Sequence, residues 1–567
     1  YGLLVIDAET GRCETFPTPF PPGGDTPYAS LLSRAGKYYT HFNSHFVEFD
    51  PLRRAFTFFQ KTYPQMAMSM TEDDRGVIWS FTYPESGVVS FDPKTRTLKD
   101  YGSVYQQNWP QYPREAAADD TGWVYFGVGP TASQIIALDP ATGQATPILA
   151  DAERARAYAS VYRAVDGKVY GNAGSRDGAW YELYQGEAKK LNAPPQAERK
   201  PIITGTQSLF YPNFPSGRVL TELNLVDRRV SIRDAKTDQV KTFPIEYESE
   251  GALIMAVAAA PDGTICGGTA FPMCFFRYYP KGDRWVNRDC YGQWNTVARQ
   301  GQRFYVGGYG GGFLLEWDPT RDWVPTAPGN RESNPRHLAQ VAPVINRPHE
   351  LLAHPNGKTV VLAGTPGYGY TGGGLLFWDR ETEKAEVLEH TQIIPDHSTF
   401  ALVALDDDTL LGGTTTSPGT GGEKKAAEAE LYVMGLKTKA IWWRKALFPG
   451  VQTYTDLILA PDGMVYGFAD ARLFFVFDPV RRVVVHQEDT TATLGPTSGG
   501  QGPRVFVKSP SGVVYVLFEK GIARVQPKTF RLEMLGVSPA PITVGGDLLE
   551  GRIYFASGSH LYSYQVP

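Results

Sequence analysis

The sequence contains little cysteine and lacks the short motifs of the common hydrolytic enzymes. Four cysteines in 567 residues are too few for a disulfide framework. Cys266 and Cys274 flank a Gly-rich turn and are close enough to pair if they face each other, but we interpret both as small buried hydrophobic residues. No CxxC, HExxH or GxSxG pattern occurs, so a zinc site, a zinc protease and a serine hydrolase are not expected.

Long apolar runs and an excess of positive charge are also missing. No run approaches the roughly 18 apolar residues that a membrane helix needs, and the net charge of −5 is spread along the chain without a basic stripe. We therefore expect neither a membrane nor a nucleic acid as a partner. A chain that begins at Tyr1 gives no direct information on targeting, and a secreted or periplasmic protein is the expectation.

Aromatic residues, glycine and proline are abundant, and they accompany a repeated phrase. Aromatic residues make up 13% of the chain, which also has 59 Gly and 43 Pro, a mixture typical of many short strands closed by tight turns. An apolar run, Asp-Pro or a variant, a polar turn and another strand recur with a period of roughly 40 to 60 residues, as in the blades of a β-propeller. The clearest copies are VVSFDPKTRTLKDY from Val88, IIALDPATGQATPI from Ile135, LLEWDPTRDW from Leu314, LLFWDRETEKAEVL from Leu375 and FFVFDPVRRVVVH from Phe474.

Each repeat predicts four antiparallel strands. Turns such as Asp-Asp-Arg-Gly (73–76) and Pro-Asn-Gly (355–357) join the first strand to an apolar second strand, and Gly supplies the positive φ that they need. About twelve first strands can be counted, which exceeds the four to eight blades of a single ring. They begin near residues 28, 68, 114, 159, 205, 255, 293, 349, 397, 455, 504 and 543. We therefore predict an all-β protein with two tandem β-propellers of about six to seven four-stranded blades each. The predicted rings are residues 1–320 and 321–567, with ring closure that mixes N- and C-terminal strands.

Two Gly-rich runs, residues 307–312 and 364–374, resemble phosphate loops in composition alone. Each joins one strand to another, whereas a phosphate loop leads into the N-terminus of a helix. We interpret both runs as blade hairpins, and a nucleotide is not expected as a ligand.

A constant position in the repeat predicts where a functional site lies. The loop that enters each first strand projects towards the mouth of the channel, so residues there converge from all blades. The reference position is the eighth residue before each turn glycine, and alignment on Gly412 and Gly413 gives its equivalent in a blade that lacks this glycine. Its occupants include Tyr28, Met68, Arg114, Ala159, Met255, His349, His397, Thr455 and Arg504.

The ionisable residues among these suit acid–base chemistry. Histidine changes charge near neutral pH, and an arginine and a tyrosine beside it would supply a charge-neutralising cation and a proton donor. The alternative is that these side chains only hydrogen-bond loops across the channel. The predicted catalytic residues are His349, His397, Tyr454 and Arg504, and the predicted substrate-binding residues are Arg347, Arg114, Tyr112, Asp456 and Trp294.

His41 and His45 form a second pair of histidines, four residues apart in one predicted strand pair. This spacing puts them on one face of a strand or on either side of a tight turn. We interpret them as hydrogen-bonded structural residues at the surface or between blades.

The segments DDRGVIWSFTYPESGVVSFDPKT from Asp73 and RPHELLAHPNG from Arg347 resemble propellers of the streptogramin-lyase type. The resemblance covers blade-level motifs and implies that His349, which follows Pro348, is the general base. Members of that family form a single ring and use a magnesium-assisted elimination with a nearby Glu, for which Glu350 is the counterpart. A second resemblance, in residue types, is to propeller polysaccharide lyases such as the ulvan lyases, which use His, Tyr and Arg.

Both resemblances imply β-elimination on a glycan or glycoside. Arg or a metal would hold the carboxylate, His or Tyr would take the proton of the adjacent carbon, and a neighbour would protonate the leaving oxygen. No cofactor is assigned, and a requirement for a divalent cation is left open. The alternatives are a non-catalytic propeller that binds a glycan or a protein, and a tandem-propeller glycoside hydrolase with Glu350, Asp396 and Asp456 as the acids near the mouth.

Overall fold

The computed structural model describes residues 2–21, 23–174, 178–205, 216–225, 227–498 and 505–567. Regular structure is almost entirely antiparallel β-sheet; the helical segments of the described residues are a 3-10 turn, Asp151–Glu153, and α1, His390–Ile393. No helix in these ranges is long and apolar enough to cross a membrane. The sheets, mostly of four strands, form a tandem β-propeller, and the predicted fold class is confirmed.

The chain divides into two compact units, which we call unit 1 (residues 1–249 with 421–423) and unit 2 (residues 250–420 with 424–567). The strands of unit 1 are β1 (Gly2–Ile6), β2 (Cys13–Pro17), β3 (Ser30–Leu32), β4 (Tyr38–Phe42), β5 (His45–Asp50), β6 (Ala55–Lys61), β7 (Met66–Glu72), β8 (Ile78–Tyr83), β9 (Gly87–Asp92), β10 (Thr97–Ser103), β11 (Glu115–Ala118), β12 (Val124–Val128), β13 (Gln134–Leu138), β14 (Ala145–Pro147), β15 (Ser160–Arg163), β16 (Val169–Asn172), β17 (Trp180–Tyr184), β18 (Glu187–Leu191), β19 (Ile203–Gly205), β20 (Arg218–Asn224), β21 (Arg229–Asp234) and β22 (Val240–Pro244).

In unit 1 the strands pair as β1-β2, β19-β3-β4-β5-β6, β10-β9-β8-β7, β11-β12-β13-β14, β15-β16-β17-β18 and β20-β21-β22. The first strands β3, β7, β11 and β15 contact one another in that order. The sequence predicted that a blade begins near residue 205, but β19 instead adds a fifth strand to the sheet of β3.

The strands of unit 2 are β23 (Leu253–Ala259), β24 (Ile265–Ala270), β25 (Cys274–Tyr279), β26 (Arg284–Asp289), β27 (Gln293–Gln300), β28 (Arg303–Tyr309), β29 (Phe313–Trp317), β30 (Arg336–Gln340), β31 (Arg347–Ala353), β32 (Thr359–Thr365), β33 (Gly374–Asp379), β34 (Lys384–Glu389), β35 (Ser398–Ala404), β36 (Thr409–Thr415), β37 (Leu431–Gly435), β38 (Ile441–Lys445), β39 (Tyr454–Leu459), β40 (Val465–Ala469), β41 (Leu473–Asp478), β42 (Val483–Asp489), β43 (Phe506–Lys508), β44 (Val514–Phe518), β45 (Gly521–Val525), β46 (Leu532–Val537), β47 (Val544–Leu549), β48 (Arg552–Ser557) and β49 (His560–Gln565).

Unit 2 is a closed ring. Strands β23 to β46 form six sheets of four consecutive strands, and β47 to β49 form a seventh sheet of three. The first strands β23, β27, β31, β35, β39, β43 and β47 contact one another in that order, and β47 contacts β23. Each sheet is therefore one blade, and the seven first strands surround the central channel.

The second strand of a blade is buried on both faces because it packs between two neighbouring sheets. In β40, Val465 and Ala469 belong to the apolar cluster shared with the preceding blade. Tyr466 and Phe468, on the opposite face of the strand, belong to the cluster shared with the following blade. This two-sided packing explains why the second strands have few polar residues.

The aspartate of the repeated phrase ends the third strand and shapes the turn that follows. Asp478 Oδ1 accepts hydrogen bonds from the backbone N–H groups of Val480 and Arg481, each at 2.9 Å. Such an Asx turn satisfies two backbone donors that the strand ladder leaves over. The repeated phrase is therefore part of the scaffold.

The boundary between the units differs from the predicted one. Residues 320 and 321 lie between β29 and β30 of one blade, whereas the compact units divide at residues 249 and 250. The N- and C-terminal strands also lie in separate sheets, since β1 pairs with β2 and β47 to β49 form their own blade. Unit 2 closes by contact between two complete sheets rather than by a sheet that mixes the two ends of the chain. None of the four cysteines forms a disulfide, and Cys266 and Cys274 are buried, as predicted.

Candidate functional site

The first strands of unit 2 carry β-bulges close to the channel mouth. In β23, β27, β31, β35 and β39, one extra residue opposes the partner strand. A bulge locally increases the twist of a strand and re-aims the side chain of the extra residue. The extra residues are Met255, Asn295, His349, Phe400 and Thr455.

The reference position of the sequence analysis is the bulge position in three of these blades. It selects Met255, His349 and Thr455 correctly. In the blade without a turn glycine, however, the bulge residue is Phe400 rather than His397. The predicted equivalence of His349 and His397 is therefore wrong by three residues, because no turn glycine fixes the alignment in that blade.

His349 is the bulge residue of β31, and its side chain contacts its own blade and the following blade. The residue is 8% exposed, and its Nε2 lies 3.0 Å from Thr365 Oγ1. The imidazole packs against the ring of Phe400, with ring centroids 4.4 Å apart. On the preceding blade, Asn295 Nδ2 donates to the carbonyl oxygen of Pro348 at 3.4 Å. The bulge positions of three successive blades thus adjoin each other.

Arg347 lies two residues before His349 on β31 and stacks on an aromatic side chain. Its guanidinium carbon is 4.8 Å from the ring centroid of Tyr309, and the hydroxyl groups of Tyr309 and Tyr368 are hydrogen-bonded at 2.5 Å. The three side chains are half-buried, and no carboxylate in the described ranges lies within ion-pair distance of Arg347. We call Arg347, His349, Tyr309 and Tyr368 the Arg347 cluster.

The two Gly-rich runs build this cluster. Tyr309 stands at the end of β28, in the first run, and Tyr368 lies in the second run between β32 and β33. Gly312 has φ +58°, and a Cβ there would lie 1.8 Å from the carbonyl oxygen of Ile345. Only glycine therefore lets this turn approach the segment that enters β31. The interpretation of both runs as hairpins is confirmed. The two tyrosines were not predicted, because the reference position covers only the entry to the first strands.

His397 is occupied by backbone contacts. Its Nδ1 lies 2.8 Å from the carbonyl oxygen of Pro395, and its Nε2 lies 2.9 Å from that of Glu428. A carbonyl can only accept a hydrogen bond, so both ring nitrogens face acceptors and neither is open to a substrate. This geometry fits a residue that fastens two loops rather than a general base.

Tyr454 and Trp294 lie in the cores between blades rather than at the mouth. Each is 0% exposed. Tyr454 packs with Phe475 at a centroid distance of 5.8 Å, and Trp294 packs with Phe275 at 5.3 Å. Both precede a bulge residue directly, and the strand alternation turns their side chains onto the face of the blade. They are therefore closed to a substrate.

Asp456 stabilises the contact between two blades. Its Oδ2 accepts hydrogen bonds from the N–H groups of Val505 and Phe506, at 2.9 and 3.1 Å. Asp547 has the same role where the ring closes, because its Oδ2 accepts from Ala259 N–H at 3.0 Å. Burial raises the pKa of Asp547. Asp456 is thus a structural residue.

Glu350 is the acid that the streptogramin-lyase resemblance places at a metal site. Glu350 Oε1 accepts from the N–H of Leu351 at 3.0 Å. Within the described residues, no group of three or more His, Cys, Asp and Glu side chains is placed to hold a metal ion. Glu350 and its neighbours therefore do not fit the magnesium site that the streptogramin-lyase resemblance implies.

Arg114 and Tyr112 belong to unit 1, whereas Arg347 and His349 belong to unit 2. The guanidinium carbon of Arg114 is 4.2 Å from the ring centroid of Tyr158 and 5.8 Å from that of Tyr112. An arginine stacked on tyrosine thus occurs at a strand entry in each unit. Arg504 lies outside the described residues.

The interpretation of His41 as a structural residue between blades is confirmed. His41 is 0% exposed, with Ser80 Oγ and Thr62 Oγ1 each 2.8 Å from its ring nitrogens. Burial lowers the pKa of His41 to about 3. His45 packs on the ring of Phe20, with centroids 4.3 Å apart.

Comparison with known proteins finds distant similarity to solved structures. No protein-family model and no curated protein matches the chain. Among solved structures, hydrazine synthase of Kuenenia stuttgartiensis has 10% identity and a TM-score of 0.43, covering 57% of this chain and 97% of that one. PorZ, a surface component of the type-IX secretion system of Porphyromonas gingivalis, has 12% identity and a TM-score of 0.37, covering 100% and 78%. An extracellular domain assigned to a hybrid two-component system of B. thetaiotaomicron has 12% identity and a TM-score of 0.39, covering 100% and 73%. Such values say nothing about what this chain binds.

Proposed function

We propose that unit 2 is a carbohydrate-binding propeller that takes a carboxylated sugar at the Arg347 cluster. The observation that carries the proposal is the half-buried guanidinium of Arg347, which stacks on Tyr309 and has no carboxylate of the described chain beside it. A guanidinium that is withdrawn from water gains most from a bidentate carboxylate. The carboxylate of a uronate ligand supplies that partner.

The two tyrosines suit the remainder of a sugar. Tyr309 and Tyr368 share a hydroxyl–hydroxyl hydrogen bond of 2.5 Å, which fixes the two groups relative to each other. An aromatic ring offers an apolar plane for the C–H face of a pyranose, and its hydroxyl exchanges hydrogen bonds with sugar hydroxyls. Anchoring groups that are already in place reduce the entropy lost on binding.

Calorimetric titration of the full chain with tri-galacturonate tests this proposal. The expected result is binding that weakens by about tenfold or more in Arg347→Ala, since a hydrogen bond to a charged group contributes roughly 1.5–3 kcal/mol. The fully methyl-esterified trisaccharide lacks the carboxylates. It should bind the unsubstituted protein as weakly as tri-galacturonate binds Arg347→Ala. Arg284→Ala is the matched control. The guanidinium carbon of Arg284 also lies over a tyrosine, 3.8 Å from the ring centroid of Tyr279, but Arg284 is on β26, the fourth strand of a blade. Equal affinity of Arg347→Ala and the parent contradicts the proposal.

A second candidate function at the same cluster is β-elimination, favoured by His349 on the same strand as Arg347. Arg347 would neutralise the uronate carboxylate, and His349 would take the proton of the adjacent carbon. The electron pair of that C–H bond forms the C=C bond, the glycosidic C–O bond breaks, and a tyrosine hydroxyl of the cluster protonates the leaving oxygen. This assignment follows the lyase resemblance of the sequence with Tyr309 and Tyr368 in the place of Tyr454.

Ultraviolet absorbance separates binding from elimination. A conjugated C=C bond at the new chain end should make the absorbance of a polyuronate solution rise with time. His349→Ala should abolish the rise, whereas His397→Ala should keep it. Binding of tri-galacturonate without any rise would leave the carbohydrate-binding proposal standing and exclude elimination on that substrate class.

A further inference from the structure

A groove in unit 1 has a volume of about 650 Å³ and is separate from the Arg347 cluster. It lies between the sheet of β7 to β10 and the sheet of β11 to β14, on the side of the blade turns. The aromatic side chains of Trp79, Tyr101 and Trp123 line it. Its volume is in the range of about 300–1,000 Å³ that small-molecule sites occupy.

The aromatic walls of the groove are held in position. The rings of Trp79 and Tyr101 have centroids 5.7 Å apart, and the Tyr101 hydroxyl donates to the carbonyl oxygen of Pro140 at 3.3 Å. Lys99 Nζ lies 4.2 Å from the Tyr101 ring centroid and donates to the same carbonyl at 3.1 Å. These contacts fasten the wall formed by one blade to a turn of the next blade.

The opposite wall is equally fixed. The six-membered ring of Trp123 lies against Gly186, where a Cβ would be 2.6 Å from the indole. A side chain at 186 would therefore displace the indole. Arg75 bridges the two sheets, because a Cβ at Gly122 would lie 2.9 Å from its Nη2. The groove is therefore formed before any ligand arrives, which favours binding.

The polar groups of the groove carry charges of both signs. The lining cations are Arg75, Lys94 and Lys99, and the lining carboxylates are Asp92 and Asp139. Two buried carboxylates lie behind the lining: Asp73 pairs with Arg75 at 3.0 Å, and Asp119 accepts from the Thr121 hydroxyl at 2.7 Å. A charged ligand would therefore meet both attraction and repulsion here.

Hydroxyl groups complete the lining. Ser90, Thr95, Thr97 and Thr121 line the groove, and Thr95 Oγ1 donates to Thr97 Oγ1 at 3.0 Å. A hydroxyl can both donate and accept, as sugar hydroxyls do. Aromatic walls combined with a hydroxyl-rich rim match the two faces of a neutral pyranose.

We propose that this groove binds a segment of a neutral oligosaccharide. The apolar C–H faces of the sugar rings pack on Tyr101 and Trp123, and the threonine hydroxyls bond the sugar hydroxyls. The site differs from the Arg347 cluster in unit and in ligand charge, so it stands or falls independently of the function proposed for unit 2.

Calorimetric titration with four neutral tetrasaccharides, cellotetraose, maltotetraose, xylotetraose and mannotetraose, tests the proposal on the full chain. At least one should bind, and Thr97→Trp, which fills the groove from an exposed position, should weaken that binding at least tenfold. Thr237→Trp adds an indole to an exposed turn of the same unit and should leave the affinity unchanged, as should Arg347→Ala. Thr121→Trp fills the groove from the other wall and replaces Thr97→Trp if that variant does not fold. Failure of all four sugars to bind, or parental affinity in a folded groove-filled variant, overturns the proposal.

Discussion

The imidazole of His349 packs against the ring of Phe400 with centroids 4.4 Å apart and an angle of 31° between the planes. The two residues come from consecutive blades, and each is the extra residue of a β-bulge. The bulge residues of these two neighbouring blades therefore contact each other. His349, the candidate base of the Arg347 cluster, therefore contacts Phe400, an apolar residue that is not part of any catalytic motif.

Replacing Phe400 should change ligand binding at the Arg347 cluster. Phe400→Ala removes a ring contact of roughly 0.5–1.5 kcal/mol, leaving the imidazole of His349 less well positioned. We expect a two- to tenfold loss of affinity for tri-galacturonate, measured by calorimetry. Phe400→Tyr keeps the ring and should bind within twofold of the parent. Parental affinity in Phe400→Ala would show that His349 does not depend on this contact.

Removal of His397 should affect stability alone. His397→Ala removes the imidazole that lies between the carbonyl groups of Pro395 and Glu428, at a cost of roughly 1–3 kcal/mol in the free energy of unfolding. Chemical denaturation measures this loss, and His560→Ala, at a side chain that is 68% exposed, is the control. We expect unchanged affinity for tri-galacturonate; a loss of affinity in a stable His397→Ala protein would restore a functional role for His397.

Tyr454 should behave as a core residue. Tyr454→Ala opens a cavity between two blades beside Phe448 and Phe475, and such truncations cost roughly 3–5 kcal/mol. Tyr454→Phe retains the ring packing and should cost much less. Thermal denaturation compares the two variants. A stable Tyr454→Ala protein that has lost ligand binding would contradict the assignment to the core.

Asp547 should make stability depend on pH. Its pKa is raised by burial, so the folded chain binds more protons than the unfolded chain between the usual carboxyl pKa and the raised value. The free energy of unfolding therefore falls as pH rises through that window, and Asp547→Asn lacks this decrease. Denaturation at about pH 4 and about pH 8 should show the variant gaining stability relative to the parent at the higher pH. An unchanged difference would mean that Asp547 titrates normally.

His41 should produce the opposite dependence. Its pKa is lowered to about 3, whereas an exposed histidine titrates near 6.5. The unfolded chain therefore binds the extra proton, and the free energy of unfolding falls as pH drops below about 6.5, by up to about 1.4 kcal/mol per pH unit. His41→Gln should lack this component in denaturation series between about pH 7 and about pH 5. Identical pH profiles of parent and variant would contradict a buried neutral His41.

The positions of most blades could be predicted because their signals are local. First strands were predicted near residues 255, 293, 349, 455 and 543, and they begin at Leu253, Gln293, Arg347, Tyr454 and Val544. A turn glycine with positive φ and an aspartate that accepts turn amides specify the local backbone without help from the rest of the fold. The sheet to which the strand at residue 205 belongs could not be predicted, because its pairing with β3 is not local.

The side-chain orientation at the channel could be predicted only in part. His349 and Arg347 were chosen correctly as neighbours at a strand entry, whereas Tyr454 and Trp294 point into cores. A β-bulge shifts the alternation by one residue, and the distance from the turn glycine locates the bulge in only three of the five blades of unit 2 that have one. Tyr309 and Tyr368 were not predicted because they lie at the end of β28 and between β32 and β33, rather than at the entry to a first strand.

The closure of unit 2 by two whole sheets has a mechanical consequence. Where β47 meets β23, the chain is joined by packing and by bonds such as that from Ala259 N–H to Asp547, and no strand is exchanged between blades. Force applied to the end that follows β49 would load the strands of one blade in turn, as in unzipping, before the remaining six blades bear any tension. The ring would thus open between β23 and β47, and a covalent bond between these two strands would close the ring covalently.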